Sequence, residues 1–528
     1  MRVSPCLLIA LFAIAACADM AQPRPDAAES DVGGDVAEVS DGGVDADDAI
    51  GAGLEHDADP EVDADTPEVT LDASADADVG SVPDTDTPGD ADVEFRVTFL
   101  SAPADGTANP ASTFTFEAPG AASFECALDD DEPSPCLSPA FAVPMTIGSH
   151  RFTVVAFDDG GEAVASAVHT WSVASVFDAP HPDLVSASAP PEPVEPGSWR
   201  GISRIQCHFS HSSYNDPIVR PGHENGAHLH SFYGNSSTDH NTTTASIYQQ
   251  PASTCQGNEL NGSSYWVPAL LAPRYDASDQ PIDDDGDAGW QVVPAISGGG
   301  NTHELFYYSA GIDDLDAIQN IPAGLRIVAG LSSTTFEGPQ QDTAIVRWHC
   351  RSWASRDSAG GPWSSTIPRC EMGDQVRFDI FFPSCWDGQH LDADDHASHM
   401  AYPITTGAGP TALTTCPDSH PVPLIRPSYH YAFPVTPANA HPVTRDARGW
   451  RLASDDYTAT DSSPGGASLH GDWMNGWHPE VLETILDNCI RAERDCHDGH
   501  LGNGLQLGPP PDGAGTEPAI AREGRGMH

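Results

Sequence analysis

Alternation of apolar and polar residues is the strongest signal along this chain. Between residues 94 and 176 the stretches FRVTFLSAP, STFTFEA, ASFECALDD, HRFTVVAFD and HTWSV alternate, with turn clusters rich in Gly, Pro, Asp and Asn between them. Side chains on a strand point to opposite faces in turn, so each stretch reads as a half-buried strand, and several in a row predict a small β-sandwich. From Trp199 to Gly508 the strands are shorter and less regular: RIQCHFS, SSYWVPAL, GLRIVAG, AIVRWHC and QVRFDIFFP. One stretch has helical spacing instead, with Val481, Leu482, Ile485, Leu486, Cys489 and Ile490 on one side. Pro479 suits its first turn, and Glu480 and Glu483 favour the positive end of the helix dipole. The predicted fold class is mostly β: a sandwich at 94–176, a linker rich in proline at 177–198, and a β-rich main domain with few helices at 199–508.

The flanks lack this patterning. Residues 17–93 are Asp, Ala, Gly, Pro and Val with almost no aromatics, too little apolar surface to offset the entropy of ordering, and predict a disordered acidic tether. Residues 509–528 read as a disordered tail. At the start, Arg2 precedes an apolar run, Leu7 to Ala16, that is too short to span a membrane. It ends in Ile14-Ala15-Ala16-Cys17, which resembles the lipobox of bacterial lipoproteins. The resemblance implies a signal peptide at 1–16, a lipid on Cys17, and a protein outside the cytoplasm, held to the outer membrane or cell surface through that lipid only.

Charge narrows the partners. The chain carries 78 acidic and 22 basic residues, a net charge of −56, and every basic residue is arginine. Such a chain repels nucleic acid phosphate and anionic headgroups, so nucleic acid is not expected as a partner. With Cys6 in the signal peptide and Cys17 lipidated, ten cysteines remain, an even number that reads as disulfides in an oxidising compartment. Pairing of sequential neighbours is the simplest scheme, and Cys126–Cys136 and Cys489–Cys496 are its most local pairs. The spacing of the first pair, in ECALDDDEPSPC, resembles bacterial immunoglobulin-like modules, which makes the expected architecture an immunoglobulin-like β-sandwich followed by a disulfide-stapled β-rich domain.

Candidate chemistry sits in segments rich in histidine. In PGHENGAHLHSFYGN, an extended backbone would put His228 and His230 on one face, half of a zinc or copper site, with Asp216, His211 and His223 near in sequence. In CWDGQHLDADDHASHMAYP, a helical turn would put His396 and His399 on one face. CPDSHPVPL contributes His420, and HGDWMNGW contributes His470 and Asp472. For any one of these histidines, a hydrogen bond to loop backbone is the alternative to a ligand role. No nucleophile elbow, zincin or phosphate-loop motif is present, and DDDGDAG at Asp283–Gly289 lacks the ends of a calcium loop.

Taken in order, DPIVRPG, HLHSFYGN, YWVPAL, GLRIVAG, CWDG with LDADDHASHMAYP, CP with HPVPL, and HGDWMNGW with VLETILDNC resemble the secreted family called domain of unknown function nineteen-ninety-six, over residues 200 to 497. The resemblance implies that Asp216, His228, His230, His396, His399, His420, His470 and Asp472 occupy motif positions, without implying roles. Three readings follow. The first is an enzyme on extracellular or cell-wall polysaccharide, with Asp216, His228, His230, His396, His399, His470 and Asp472 as catalytic candidates. In it, His228, His230, His396 and His399 are the metal candidates, and Trp266, Trp386, Trp473 and Trp477 stack on sugar rings. The second is a surface binding or adhesion protein without catalysis. The third is a metal-binding lipoprotein. The cofactor expected, if any, is a divalent metal, zinc or copper.

Overall fold

The computed structural model describes residues 95–187, 189–193, 201–282, 289–296, 305–351, 363–408, 412–455 and 463–511. The signal peptide, Cys17, the acidic tether, most of the acidic turn at 283–289 and the tail from residue 512 lie outside the described residues.

The first segment is a two-sheet antiparallel sandwich. Its strands are β1 (Thr98–Ser101), β2 (Ser112–Glu117), β3 (Ser123–Leu128), β4 (Ser134–Cys136), β5 (Ala140–Ala142), β6 (Gly148–Phe157) and β7 (Ala163–Val173). One sheet runs β1-β2-β5 and the other β4-β3-β6-β7. The alternating apolar positions point inward: Phe114 stacks on Phe152 with ring centroids 4.0 Å apart, beside Val154 and Trp171. The Cys126–Cys136 disulfide ties β3 to β4.

The main domain is also built on two sheets. Its principal strands are β8 (Ile202–Ile205), β9 (Phe209–Ser213), β10 (His230–Gly234), β11 (Ser264–Pro268), β12 (Phe306–Ser309), β13 (Arg326–Gly330), β14 (Val346–Arg351), β15 (Gln375–Phe381), β16 (Arg426–Pro434), β17 (His470–Met474) and β18 (Asp495–Cys496). A five-stranded sheet runs β9-β10-β11-β17-β13, and a six-stranded sheet runs β14-β15-β16-β12-β8-β18. The two pack face to face. Tyr265 stacks on Phe306 at 4.0 Å, Tyr233 meets Tyr431 edge-on at 5.3 Å, and Trp473 packs with Tyr308. Each of these large side chains, fully buried, contributes roughly 1.5–3 kcal/mol.

Period two along each strand then decides what lies on the far faces. On β17, Gly471 and Trp473 point into the core, so His470, Asp472 and Met474 point away from it. On β10 and β11 the same rule turns His230, Phe232 and Trp266 to that outer face. Gly471 is closely packed: a Cβ there would stand 3.0 Å from the Ile380 side chain and 3.1 Å from the Tyr429 ring. That close approach lets the Tyr429 hydroxyl donate to the Asp472 carbonyl oxygen at 2.6 Å.

All ten remaining cysteines pair as sequential neighbours: Cys126–Cys136, Cys207–Cys255, Cys350–Cys370, Cys385–Cys416 and Cys489–Cys496. Helix is sparse among the described residues. A short α1 (Thr244–Gln249) is capped by Thr243, and α2 (Pro479–Ile485) continues as a π-helical turn over Leu486–Arg491.

The stretch expected to be a linker is partly built into the fold. Leu184–Ser186 pairs with Leu505–Leu507, and Val176 is buried in the main core. Glu480 at the start of α2 accepts from the Ser175 hydroxyl at 2.6 Å and the Val176 amide at 2.8 Å. The sandwich therefore docks on the main domain, and Ala111, Phe141 and Val143 pack against the outer face of the five-stranded sheet.

Candidate functional site

That outer face carries a cluster of buried polar groups. His230 opens β10, His470 opens β17, and Asp472 follows two residues later on the same side. Asp216 comes from the turn after β9, where its Oδ1 accepts from the amides of Ile218 and Val219, both at 2.9 Å. His228 stands just ahead of β10, with ring centroids 4.2 Å from His230 and 5.0 Å from His470. Two overlapping triads result, His228–His230–His470 and Asp216–His230–Asp472. In each, one ligand atom per residue lies within 4.8 Å of the others. Asp216, His230, His470 and Asp472 are buried, while His228 is half-buried and marks the solvent side.

The hydrogen bonds fix which nitrogens face inward. His230 Nδ1 lies 3.3 Å from the Asn215 carbonyl, and His470 Nδ1 lies 2.8 Å from the Ser468 carbonyl. A carbonyl only accepts, so each Nδ1 carries the proton and each Nε2 presents a lone pair. This is how a metal-ligating imidazole is oriented by its neighbours. His470 Nε2 sits 3.9 Å from Asp472 Oδ2. Neither oxygen of Asp472 has a hydrogen-bond partner, nor does Nε2 of His230, although all three atoms are buried. Acceptors thus face acceptors.

Protonation follows burial. Desolvation, helped by the neighbouring His470, takes His230 down to about 3, and desolvation takes His470 down to about 4, so both are neutral at physiological pH. Burial raises Asp472 well above the usual carboxylate range, and the charge of Asp216 adds to the rise. Asp216 is raised by burial too, against the pull of its two backbone amides and of Trp266. Two carboxylates and neutral imidazoles, all desolvated, would be satisfied together by one divalent cation. Imidazole nitrogens favour zinc, copper or iron over magnesium and calcium.

The placement of His396 and His399 corrects the expectation that they share a helical face. No helical turn forms there. Asp395 Oδ1 accepts from the amides of Ala397 and Ser398, and His396 takes a left-handed φ of 56°. His399 is buried with Nε2 2.7 Å from the Arg326 carbonyl, and His396 pairs with Asp392 at 3.0 Å. Neither belongs to the ligand groups. His396 is nonetheless close enough to act electrostatically on Asp216. It also lines an open cleft of ≈ 810 Å³ with Asp387, His390 and Asp392.

The other sequence candidates have structural work. His420 is half-buried, with Nε2 2.9 Å from the Ser398 carbonyl. His211 stacks on Phe232 and lies 3.0 Å from the Thr238 carbonyl. Trp266, Trp473 and Trp477 are fully buried, which corrects the expectation that they stack on sugars; Trp386 is half-buried.

A second polar cluster escaped the sequence reading. On the outer face of the six-stranded sheet, Ser428 Oγ is 3.0 Å from His430 Nε2, and His430 Nδ1 is 2.9 Å from Asp379 Oδ1. Arg347 donates to the other Asp379 oxygen at 2.8 Å. Burial pushes Asp379 up, but bonds from His349, His430 and Arg347 outweigh it and hold the carboxyl well below the usual range. The order matches a Ser-His-Asp relay, yet Ser428 is only 3% exposed, so no acyl group reaches its hydroxyl and the relay acts as a brace. The signal available was the polar parity of QVRFDIF and RPSYHYAFP.

Residues 216–477 match the family described as Domain of unknown function (DUF1996). The five clustered side chains all fall within the matched stretch. No curated protein matches the chain. A solved structure described as "Structural basis for the promiscuous specificity of the carbohydrate-binding modules from the beta-sandwich super family" is similar over 72% of this chain and 96% of that chain, at 9% identity and a TM-score of 0.14. A likeness that slight carries no argument about ligands.

Proposed function

We propose that the main domain holds a divalent transition metal, zinc or copper, through His228, His230, His470, Asp216 and Asp472. The observation that carries this reading is the buried Asp472 carboxylate, both oxygens without a hydrogen-bond partner, opposite the equally unpartnered Nε2 of His230. A desolvated carboxylate among lone pairs costs several kcal/mol unless a cation joins it. The ligand served by this centre is extracellular or cell-wall polysaccharide, reached from the half-buried His228 and the cleft at His396. A divalent metal held by these residues would supply Lewis-acid chemistry toward a ligand oxygen or water, and the His396–Asp392 pair stands at the rim of the cleft. The lipid on Cys17 keeps the domain at the cell envelope.

Calorimetric titration of the chelator-treated, dialysed protein with zinc, copper, manganese and calcium tests the reading. Saturable zinc or copper binding, lost in His230→Ala and Asp472→Asn, is expected. A metal-binding protein without turnover on a panel of glycans would leave the third reading, a metal-binding lipoprotein. Absence of metal binding would leave the non-catalytic surface binding protein.

A further inference from the structure

The opposite sheet presents a different chemistry. In a chain of 78 acidic and 22 basic residues, five arginines gather on the outer face of the six-stranded sheet: Arg204, Arg347, Arg351, Arg377 and Arg426. The inward positions of the same strands, among them Trp348, Phe378 and Tyr429, fill the core, so period two sends these arginines outward. The face is continuous. Arg204 lies 5.1 Å from the Tyr307 ring centre, and Arg347 and Arg426 lie 4.8 and 5.7 Å from that of Phe381.

Acidic compensation is incomplete. Asp495 pairs with Arg204 and Asp379 with Arg347, both at 2.8 Å. Among the described residues, no carboxylate pairs with Arg351 or Arg426, and the recorded side-chain bond of Arg426 goes to the neutral Ser309 hydroxyl at 3.3 Å. Burial, then the like charge of Arg351, lowers Arg377, against the pull of Tyr307 and Asp379. At the edge, Trp363 is 41% exposed, with the Arg347 guanidinium 3.7 Å from its ring centre.

We propose that this face is a second binding site, separate from the metal centre, and that its ligand is an extended acidic polysaccharide whose carboxylate or sulfate groups meet Arg351 near one end of the sheet and Arg426 near the other, while a sugar ring between them stacks on Trp363. Guanidinium forks match carboxylate and sulfate oxygens, and an exposed indole suits the apolar face of a sugar. The chain's net charge disfavours a densely charged polyanion such as nucleic acid. A local patch still holds a sparsely charged one, because screening confines the repulsion to about 8 Å at physiological salt.

The test uses the full secreted chain and calorimetry at about 0.15 M salt. The probes are alginate oligosaccharides, a sparsely substituted dextran sulfate, neutral dextran and a single-stranded DNA oligonucleotide of matched total charge. Expected are binding of alginate or dextran sulfate, no binding of dextran, weaker binding of DNA, and a loss of roughly tenfold or more in both Trp363→Ala and Arg351→Gln/Arg426→Gln. Trp363 is exposed, so that variant tests the face even where the arginine pair is needed for folding. Alginate alone identifies a carboxylate site, and dextran sulfate alone a sulfate site. Equal binding of dextran, tighter binding of DNA, no binding of any acidic glycan, or full affinity in Trp363→Ala would overturn the proposal.

Discussion

His470 and Asp472 stand two positions apart on one strand, with Nε2 3.9 Å from Oδ2 and no donor for either Asp472 oxygen. The strand's own periodicity sets this pair. Gly471 between them faces the other way, into Tyr429, and holds the strand where both polar side chains meet His230. Core packing on one face thus positions candidate ligands on the other.

Asp472→Asn separates stability from binding. It keeps the shape and removes a group whose ionisation burial opposes, so the metal-free protein gains about 1–3 kcal/mol at a pH above the raised folded value of Asp472. It also abolishes the stabilisation by metal, which for an intact site is about 2.7 kcal/mol at a hundredfold excess over Kd. Thermal unfolding with and without chelator checks both: the metal-free Tm rises and the metal-dependent increment disappears.

The pH dependence of the metal-free fold has two opposed limbs. His230 and His470 titrate at about 3 and about 4 in the folded chain, against 6.5 when unfolded. Above pH 6.5 neither state holds these protons. Below it only the unfolded chain takes them up, so stability falls with acidification toward pH 4, by at most about 2.7 kcal/mol per pH unit for two groups. Asp216 and Asp472 are raised, so their contribution is present at low pH and is lost as pH rises from 3.8 through their folded values. Urea unfolding across this range in chelator is expected to show a shallower acid limb in His470→Gln and a shallower alkaline limb in Asp472→Asn.

Gly471→Ala tests the coupling between core and site. The added methyl meets the Tyr429 ring at 3.1 Å and Ile380 at 3.0 Å, overpacking that costs about 1–3 kcal/mol. Relief requires β17 to shift, which carries His470 and Asp472 with it. Metal affinity is expected to fall along with the denaturation midpoint. Lowered stability with unchanged affinity would show that the site tolerates the shift.

The junction between sandwich and main domain makes a separate prediction. Glu480 receives two hydrogen bonds from the chain that leaves the sandwich, and charged hydrogen bonds of this kind contribute about 1.5–3 kcal/mol. The intact chain is expected to lose both units in one calorimetric transition. In Glu480→Ala the transition is expected to broaden or split.

Much of the architecture was legible in the sequence because period two and local cysteine spacing are short-range signals. The sandwich strands, the α2 helix and the sequential disulfides all follow from residues close in sequence. The site was half legible. His228 and His230 share a face, as the HLH spacing implies, but the arrival of His470 and Asp472 depends on β17 pairing with β11, a contact across the sheet. His396 and His399 misled because their i, i+3 spacing suits a helix, whereas the Asp395 side chain caps a turn and breaks the register. The arginine face was invisible for the same long-range reason: its residues come from four strands and gather only when the sheet forms.

Elemental analysis of the purified protein, beside its His230→Ala/His470→Ala variant, decides whether the buried His/Asp cluster holds metal. One zinc or copper ion per folded chain is expected, retained through dialysis and absent from the variant. A folded native chain that retains no metal after exposure to zinc and copper, or a variant that keeps the full complement, would contradict it.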